Sequence, residues 1–490
     1  MTLRNTENTK DEEKQVNITN DNITSGFDSN TYADLFRQEM HYKIIEDRHS
    51  RTGQICFYNK KLGKYEFISA DSFKGIIKNG IPRELYSPKI VDNIFRDLTT
   101  DPPGSPHLAD ISELNSNAKC INFQNGILDW RTGKLYNHSP KLLSTIQIPC
   151  DYPVDGINYD CPKVLNDFLM HCFGGDKEQI HLFYQFIGVA ISNIDASKAK
   201  KALFIIGEND TGKSILRNLI ISLVGKENSD STDLDTLNKR FGASSLYHKR
   251  IGGCSDMKYK KIHELDIFKQ LTGGDMIQTE FKNQNSFNMK FMGLLIFCAN
   301  RFPIFGGDTQ EPVFERMCIM KAVGKAYHHS TKPFPGIVYK DSDLLEKLLA
   351  DDVRQYIVYN AIQALKEFVD NKYEYSMTSK NEQYLEEYKD VINSVPAFIR
   401  DCCILKSESA IPIDHFSVKT IYDVYQNWCG QGSITKNIYD KKEFKELLCQ
   451  LGCGSTAINN GYECFSAFTL NQQTRTDFNA EPVTKPMNFD

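Results

Sequence analysis

Short apolar runs of two different periods predict the secondary structure of the first two thirds of the chain. Residues 31–105 mix amphipathic and strand-like runs, and residues 120–153 predict short strands joined by turns at Gly126 and Gly133. Apolar residues at mostly helical spacing predict a helical run over residues 164–194. The continuous apolar runs at 202–206 and 293–300 predict strands that are covered on both faces.

The last third of the chain has a helical pattern that ends in a hairpin. A Pro- and Gly-containing connector at 330–340 precedes a predicted helix at 343–371. Further helices are predicted from residue 376 towards Cys403, at 418–428 and at 441–451. The turn at 459–461 then separates two short predicted strands that end at Leu470. Helices followed by a terminal hairpin indicate a winged-helix domain.

These patterns predict an α/β multidomain protein with five segments. The polar ends of the chain are poor in apolar residues, so they predict a disordered arm and a tail. The predicted segments are a disordered arm at 1–30, an N-terminal α+β and helical domain at 31–194, a P-loop NTPase domain at 195–375, a winged-helix domain at 376–470 and a tail at 471–490.

Composition narrows the classes of protein that fit. No apolar stretch among the 490 residues approaches the roughly 18 residues that cross a bilayer, and the N-terminus lacks an apolar secretion signal. We therefore expect a cytoplasmic protein without a membrane partner, whose 14 cysteines are reduced and whose cysteine spacing does not indicate zinc. The net charge of −5 hides a local excess: residues 195–321 hold 19 Lys and Arg against 15 Asp and Glu, a balance of +4.

Residues 207–214, GENDTGKS, form a complete P-loop between a predicted strand and a helical run at 215–221. The amides of such a loop and the N-terminus of the following helix bind phosphate oxygens. Lys213 is predicted to reach the β- and γ-phosphates, and Ser214 is predicted to bind Mg²⁺. The predicted cofactors are therefore ATP and Mg²⁺, held by Gly207, Glu208, Asn209, Asp210, Thr211, Gly212, Lys213 and Ser214.

A carboxylate is needed beside the P-loop to hold Mg²⁺ and to polarise the attacking water. The run 250–256 predicts a strand that ends at Asp256, although the two glycines at 252–253 weaken a strand. Asp256 stands without a second acidic neighbour. Either Ser255 takes part through water, or Glu264 or Asp266 supplies the second carboxylate.

Three further features follow in the chain. The strand at 293–300 ends in Asn300, whose amide is suited to orienting water and the γ-phosphate. Arg316 is the preferred candidate for a charge that stabilises the transition state in a neighbouring subunit, with Arg301 as the alternative. Residues 276–291 predict a hairpin whose exposed tip carries Lys282 between Phe281 and Phe287, a pattern that suits contact with a nucleic-acid backbone.

The order of P-loop, single acid, Lys-tipped hairpin, Asn-ended strand and Arg resembles the AAA+ core of superfamily 3 helicases, particularly the phage, plasmid and poxvirus-type primase–helicase group. Three further passages resemble that group: LTGGD at 271–275, NGILD at 125–129 with Thr132, Gly133 and His138, and the C-terminal helices and hairpin. The similarity spans about residues 115–470. A narrower likeness is to the replication initiators of staphylococcal pathogenicity islands and phage satellites.

The resemblance implies a ring-forming, ATP-dependent DNA helicase and replication initiator of a mobile genetic element. It assigns phosphate and Mg²⁺ binding to Lys213 and Ser214, the Walker B carboxylate to Asp256, the sensor to Asn300, the inter-subunit finger of a homo-hexamer to Arg316 and the DNA-translocating pore position to Lys282. The N-terminal third shows no cluster of paired carboxylates with a His, so we expect a helicase without primase activity.

The expected partners are single- and double-stranded DNA, including origin DNA, and host replication proteins. Residues 380–470 hold 9 Lys and Arg against 12 Asp and Glu, so only one face of the C-terminal domain can be basic. The predicted DNA-binding residues of that domain are Lys436, Lys441, Lys442 and Lys445. A protein-binding role stays open because the terminal hairpin has no Lys or Arg.

Two other classes of function stay open. The first is a nucleotide-switched DNA-binding or regulatory P-loop protein without unwinding activity. The second is a small-molecule phosphotransferase, for which the hairpin and the sensor would be coincidences.

Overall fold

The computed structural model describes residues 29–46, 53–102, 104–258, 261–262, 264–282, 286–305, 311–328, 337–392, 394–408, 414–431, 438–454 and 456–483. The predicted arm at 1–30 lies outside these residues except for Ser29 and Asn30, which begin the first helix. Lys436 also lies outside the described residues. The prediction of a mixed α/β multidomain chain is confirmed.

The first unit is a four-stranded sheet covered by three helices. Its elements are α1 (Ser29–Glu39), β1 (Tyr42–Glu46), β2 (Gln54–Asn59), β3 (Lys64–Ile68), α2 (Ala70–Asn79), α3 (Pro88–Thr99) and β4 (Leu108–Asp110). The strand order is β3-β2-β1-β4, with β4 parallel to β1 and the other pairs antiparallel. Ser69 and Ser87 cap α2 and α3 by accepting hydrogen bonds from backbone amides of the first turn. The apolar faces of the helices then pack on Tyr42 and Ile44 of the sheet.

A small meander and two helices join this unit to the centre of the chain. The elements are β5 (Cys120–Phe123), β6 (Gly126–Asp129), β7 (Lys134–Tyr136), α4 (Lys163–Cys172) and α5 (Lys177–Ile191). The helical run predicted over 164–194 forms two helices, because Gly174 and Gly175 take φ values of 61° and 81° and separate them. Asp176 then caps α5 by accepting hydrogen bonds from two amides.

The central unit contains the P-loop and a parallel sheet. Its elements are α6 (Ala196–Ala199), β8 (Ala202–Ile206), α7 (Lys213–Val224), α8 (Leu234–Leu237), β9 (Ile251–Gly252), β10 (Lys261–Ile262), α9 (Asp266–Gly273), β11 (Met276–Glu280), β12 (Ser286–Lys290), β13 (Leu294–Ala299), β14 (Ile304–Phe305), α10 (Glu311–Phe314), β15 (Met317–Lys321), α11 (Leu344–Leu348) and α12 (Asp351–Asp370). The parallel sheet has the order β15-β8-β13-β9. The predicted helix at 343–371 is divided into α11 and α12, because Leu349 and Ala350 leave the helical conformation.

Both faces of this sheet are buried, as the continuous apolar runs predict. Successive side chains of a strand point to opposite faces, so each strand contributes alternate residues to two separate cores. The core that includes α5, α7 and α12 contains Leu203, Ile205, Ile296, Cys298, Cys318 and Met320. The core that includes α9 and the β11–β12 hairpin contains Ala202, Phe204, Ile206, Leu295, Phe297, Ala299, Met317 and Ile319.

The C-terminal part of the chain begins with two consecutive helices. Its elements are α13 (Ser379–Ile392), α14 (Ser394–Cys402), β16 (Cys403–Leu405), α15 (Val418–Gln431), α16 (Lys441–Gln450), β17 (Thr456–Asn459), β18 (Tyr462–Phe465), β19 (Phe468–Leu470) and α17 (Gln472–Asp477). The helix predicted from 376 towards Cys403 is therefore two helices. β17 and β18 form the predicted hairpin, and β19 pairs with β16. Helix α17 lies in the segment predicted as a tail, where Asn471 caps it and Thr474 is buried.

Among the residues described above, none of the helices combines the length and the apolar character that crossing a membrane requires.

Asn381 joins α13 to the parallel sheet. Its side chain is fully buried and donates hydrogen bonds to the carbonyl of Ile319 in β15, at 2.7 Å, and to Gln179 of α5, at 3.1 Å. Its Oδ1 accepts from the amide of Thr378 at 2.9 Å. A buried polar group that loses such partners leaves them unsatisfied, which costs free energy.

We expect Asn381→Ala to lower the free energy of unfolding by about 2 kcal/mol, because buried partners are left without hydrogen bonds. Denaturant unfolding followed by circular dichroism measures this change. The matched control is Gln383→Ala on the same helix, since Gln383 is exposed and bonds to Glu387 of its own helix. Equal effects of the two substitutions would contradict the structural role of Asn381.

Candidate functional site

The ends of three neighbouring strands meet at one edge of the parallel sheet. β8 leads into Gly207, β13 leads into Asn300, and the chain after β9 continues through Cys254 to Asp256. This continuation stays in register with β13, since Cys298 N donates to Cys254 O at 2.9 Å and Met257 N donates to Cys298 O at 2.8 Å. In open α/β sheets the crevice at the carboxyl ends of the strands is the usual ligand site.

The P-loop has the backbone shape that a phosphate cradle needs. Asp210 and Gly212 take φ values of 67° and 85°, and Gly212 caps α7, which begins at Lys213. A side chain at Gly207 would bring its Cβ within 2.2 Å of the carbonyl of Ala322, and one at Gly212 would come within 2.6 Å of Cys172 Sγ. Both glycines are therefore required by close neighbours, and Gly212 offers no side chain to cap the 12-residue helix α7, whose first amides are the groups that bind anions at a helix N-terminus.

Lys213 is only 7% exposed and donates a hydrogen bond to the carbonyl of Glu208 within the loop. Burial lowers the pKa of its ammonium, while the nearby Cys298 and the carboxylates of Asp256 and Asp210 act in the opposite direction. Cys298 of β13 links the two segments, since its carbonyl accepts from Met257 N, next to Asp256, and its Sγ donates to the carbonyl of Lys213 at 3.5 Å. Ser214 follows on the first turn of α7, and its side chain is exposed. The loop thus fits an anionic ligand, and Ser214 and Asp256 supply oxygen atoms of the type that Mg²⁺ binds.

The strand that carries Asp256 is short, as its glycines predict. Only Ile251 and Gly252 form β9, and Gly253 has φ of 100°. Two buried arginines hold this segment. Arg250 donates to the carbonyl of Met292 at 3.0 Å and to Asn193, and Arg217 donates to the carbonyl of Gly253 at 2.6 Å.

Arg217 is a site residue that the sequence reasoning missed. It lies one turn after Lys213 on α7, is 5% exposed, and connects the P-loop helix to the turn before Asp256. Burial lowers the pKa of its guanidinium. The available signal was an isolated Arg in the otherwise apolar stretch of the P-loop helix, where a charged side chain needs a buried partner.

The residues considered as a second acid lie further along the chain. Glu264 and Asp266 come after β10, at the start of α9. Asp266 forms an ion pair with Lys269 at 2.6 Å, and the carbonyl of Glu264 accepts a hydrogen bond from Asn238 at 2.6 Å. Ser255 is next to Asp256 and is exposed.

Arg316 lies at the opposite edge of the sheet from the P-loop. It precedes β15, and its carbonyl accepts from the amide of Ala202 at the start of β8. Since β8 has five residues at about 3.3 Å each, about 15 Å separates the two edges. Arg316 is half-buried, and its Nη1 donates to the carbonyl of Pro312 at 2.6 Å. Asn300 and Arg301 are exposed at the P-loop edge.

The predicted hairpin forms as β11 and β12, with Glu280 opposite Ser286. Lys282 is exposed beside the tip residues 283–285, which lie outside the described residues. The aromatic residues do not flank Lys282 as free rings. Phe281 and Phe287 stack on each other at 4.9 Å, and Phe287 is 7% exposed in the core. The expectation of aromatic contact with nucleic acid is wrong for Phe287, because alternation along the hairpin turns it inward.

A row of aromatic rings, Phe67, His248, Tyr247 and Phe281, connects the first unit to this hairpin. The distance between ring centroids is 4.8 Å from Phe67 of β3 to His248 and 3.8 Å from His248 to Tyr247. It is 5.8 Å from Tyr247 to Phe281. These separations are those of rings in contact.

The C-terminal lysines lie on α16. Lys441 and Lys442 are exposed on its first turn, where Asp440 caps the helix. Lys445 forms an ion pair with Glu463 of β18 at 2.6 Å, so its charge is partly compensated. The hairpin itself exposes two apolar side chains, Ile458 at 76% and Tyr462 at 59%.

Two family models match this chain. The model described as D5 N terminal like matches residues 38–174, and the model described as a family of unknown function (DUF5906) matches residues 205–316. The second match begins in β8 and ends at Arg316, so it spans the P-loop, Asp256, the hairpin and Asn300. Together the matches suggest a phage- or plasmid-type primase–helicase, in agreement with the broader part of the resemblance.

Solved structures of the NrS-1 C terminal region, in apo form, are loosely similar to this chain. Three of them have 10%, 11% and 12% sequence identity and TM-scores of 0.45, 0.44 and 0.44. The alignments cover 91%, 90% and 91% of this chain and 100% of each NrS-1 chain. An overlap this loose transfers neither a function nor a residue role.

We expect Gly253→Ala to lower the free energy of unfolding by about 3 kcal/mol, because an L residue is strained at φ of 100° and its Cβ would lie 2.1 Å from the carbonyl of Ile296. Denaturant unfolding measures the loss. The control is Gly430→Ala in α15, where a Cβ meets no atom within 4 Å and should stabilise the helix by about 0.5–1 kcal/mol. A Gly253→Ala protein as stable as wild type would contradict this reading of the turn.

Proposed function

We propose that this chain is an ATP-dependent, ring-forming DNA helicase that initiates replication of a mobile genetic element. One observation supports this most directly. Lys213, Asp256 and Asn300 belong to one edge of the parallel sheet, and Arg316 belongs to the other edge. A subunit built this way offers a nucleotide site on one side and a cation for another subunit's nucleotide on the other side.

In this proposal the central unit is an AAA+ core of the superfamily 3 type. The P-loop amides and Lys213 bind the phosphates, and Ser214 and Asp256 hold Mg²⁺, which when bound neutralises charge on the β- and γ-phosphates. The carboxylate of Asp256 accepts a hydrogen bond from the attacking water and polarises it, and the amide of Asn300 orients that water. Arg217 is a positioning residue, because its hydrogen bond to Gly253 fixes the turn that carries Asp256.

Arg316 acts in a neighbouring subunit of the ring. At about 15 Å from the P-loop edge it is too far to reach its own nucleotide, since an extended Arg side chain spans only about half that distance. Its exposed surroundings leave it accessible to a second copy. A homo-hexamer is the ring that the family resemblance favours, and this oligomeric state is part of the proposal.

The hairpin with Lys282 would contact the DNA backbone in the ring's channel. The stacked Phe281 and Phe287 pack at its base, where Lys290 also forms a surface ion pair with Asp195 at 2.5 Å. The grip on DNA therefore comes from the cation at the tip and not from the rings. Phosphate contacts of this kind bind any sequence.

The C-terminal unit is proposed as a winged helix that binds origin DNA. The order of α14, β16, α15, α16 and the β17–β18 hairpin supports this fold. Lys441 and Lys442 are the preferred DNA contacts, and Lys445 contributes less because Glu463 compensates it. The exposed Ile458 and Tyr462 favour a second partner, a host replication protein, at the hairpin.

The main alternative is a nucleotide-switched DNA-binding or regulatory protein that does not unwind DNA. In that case single-stranded DNA would leave ATP turnover unchanged. A small-molecule phosphotransferase would consume an added phosphoacceptor instead.

We expect Lys282→Ala to abolish strand displacement on forked DNA while ATP hydrolysis is retained, because the tip cation contacts DNA and is remote from the P-loop. Lys213→Ala should abolish both activities. The control is Lys290→Ala, at the base of the same hairpin, which should unwind DNA to within about twofold of wild type, since an exposed ion pair contributes little. Unwinding by Lys282→Ala at the wild-type rate would refute the role of the hairpin.

We expect Arg316→Ala to lower DNA-stimulated ATP hydrolysis at least about a hundredfold, as loss of an arginine finger does. Mixing this variant with Lys213→Ala should restore activity, because in mixed rings about a quarter of the junctions join an intact P-loop to an intact Arg316. Steady-state hydrolysis across mixing ratios measures the recovery. The control mixes Arg316→Ala with the Lys213→Ala/Arg316→Ala double variant, which offers no complete junction. No recovery in the first mixture would show that Arg316 acts within its own subunit or has no role.

A further inference from the structure

A segment after β15 lies against the outer side of the P-loop. It consists of residues 322–328 and 337–340, called here the flanking ribbon. The two parts pair through Tyr327 N to Val338 O at 2.9 Å and Lys340 N to Tyr327 O at 2.8 Å. The ribbon is bound to the loop by Ala322 N to Ile206 O at 2.7 Å and Ala326 N to Asp210 O at 2.9 Å.

Two lysines of the flanking ribbon form ion pairs with the two acids of the P-loop. Lys325 lies 3.0 Å from Glu208, and Lys340 lies 2.8 Å from Asp210. Lys340 is also 2.9 Å from His328 Nε2. The hydrogen bond that Lys340 donates lowers the pKa of the Asp210 carboxyl group. Exposed pairs of this kind add little to stability, so their main effect is on the local charge.

The two acids create an electrostatic problem for a phosphate site. Glu208 and Asp210 are part of the loop that would surround a polyanion. Two like charges about 4 Å apart repel each other by about 1 kcal/mol in water and by about 4 kcal/mol near a protein surface. Lys213 supplies a single positive charge from within the loop. The ribbon lysines supply two more, each paired with one of the acids.

An ammonium group has three donors, so one lysine can bind a carboxylate and a phosphate oxygen at the same time. Lys340 is bound to the P-loop through the carboxylate of Asp210, and the carbonyl of Asp210 accepts from Ala326 N of the ribbon. Glu208 connects Lys213 to the ribbon directly, since its carbonyl accepts from Lys213 Nζ while its carboxylate pairs with Lys325. Lys325 reaches the first acid of the same loop.

We propose that Lys325 and Lys340 bind the phosphates of a nucleoside triphosphate from the flanking ribbon, and that Glu208 and Asp210 hold these lysines in position. The inference rests on the proposed nucleotide binding at the P-loop. The nucleotide site then has a second group of cations, Lys325 and Lys340, which belongs to the same subunit and lies on the side of the P-loop away from β13. The acids of the loop are then anchors for the lysines and not ligands of the nucleotide.

The test measures equilibrium binding of a fluorescent ATP analogue and of its diphosphate counterpart to the full chain. We expect Lys325→Ala and Lys340→Ala each to weaken triphosphate binding about tenfold, and the double variant about a hundredfold, as for lost charge-assisted hydrogen bonds. The diphosphate should lose less. Replacement by Arg should restore most of the affinity, because Arg keeps the positive charge and can donate to both a carboxylate and a phosphate oxygen. Lys163→Ala, an exposed lysine paired with Asp167 on α4, is the control of equal charge change and should bind as wild type.

A second set of variants separates phosphate binding from simple neutralisation of the loop. In the Glu208→Gln/Asp210→Asn background the loop has no carboxylates to neutralise. If Lys325 and Lys340 bind phosphate, their replacement by Ala still weakens triphosphate binding in that background. If they only neutralise the acids, their replacement has no effect there, and the inference is overturned.

Failure of this inference and failure of the proposed function give different results. If Lys213→Ala loses nucleotide binding while the Lys325→Ala/Lys340→Ala variant binds normally, the P-loop function stands and the ribbon lysines have no part in it. If wild type binds no nucleotide, both are overturned. Thermal unfolding without nucleotide identifies any variant that fails to fold, and the Arg variants then decide the matter.

Discussion

Burial of the central strands on both faces is the constraint on which the candidate site depends. β8 and β13 send alternate side chains into two different cores. A shift of either strand by one residue would exchange every side chain between those cores, so the register is fixed. Because the register is fixed, the points where the strands end are fixed too. Gly207 and Asn300 therefore follow their strands side by side. The packing of the two cores thus fixes the positions of the residues at the candidate site.

The weakest strand at this edge is held by buried polar groups. β9 has only two residues, yet Arg250 before it and Arg217 opposite Gly253 donate to backbone carbonyls on either side. Burial lowers the pKa of Arg250 to about 10. Buried charges are costly unless hydrogen bonds satisfy them, so such groups fix one arrangement and penalise others. Apolar packing therefore stabilises the centre of the sheet, and hydrogen bonds from buried arginines stabilise the segment that leads to Asp256.

The sequence predicts those parts of the fold whose signals are local. The P-loop, the apolar strands β8 and β13 and the hairpin follow from runs of residues that are adjacent in the chain. Helix interruptions were missed because the apolar spacing continues across Gly174 and Gly175, while their left-handed conformation ends the helix. Lys325 and Lys340 could not be predicted, since only the pairing of β15 with β8 brings their segment to the P-loop. Arg217 could have been suspected from its apolar surroundings.

The aromatic row from Phe67 to Phe281 gives the first unit a mechanical connection to the β11–β12 hairpin. Rings in contact transmit a displacement better than solvated loops do, because close-packed groups have low compressibility. The first unit therefore contacts the base of the hairpin through side chains that lie outside the P-loop, so a displacement of β3 would shift Tyr247 and Phe281, the residue before Lys282.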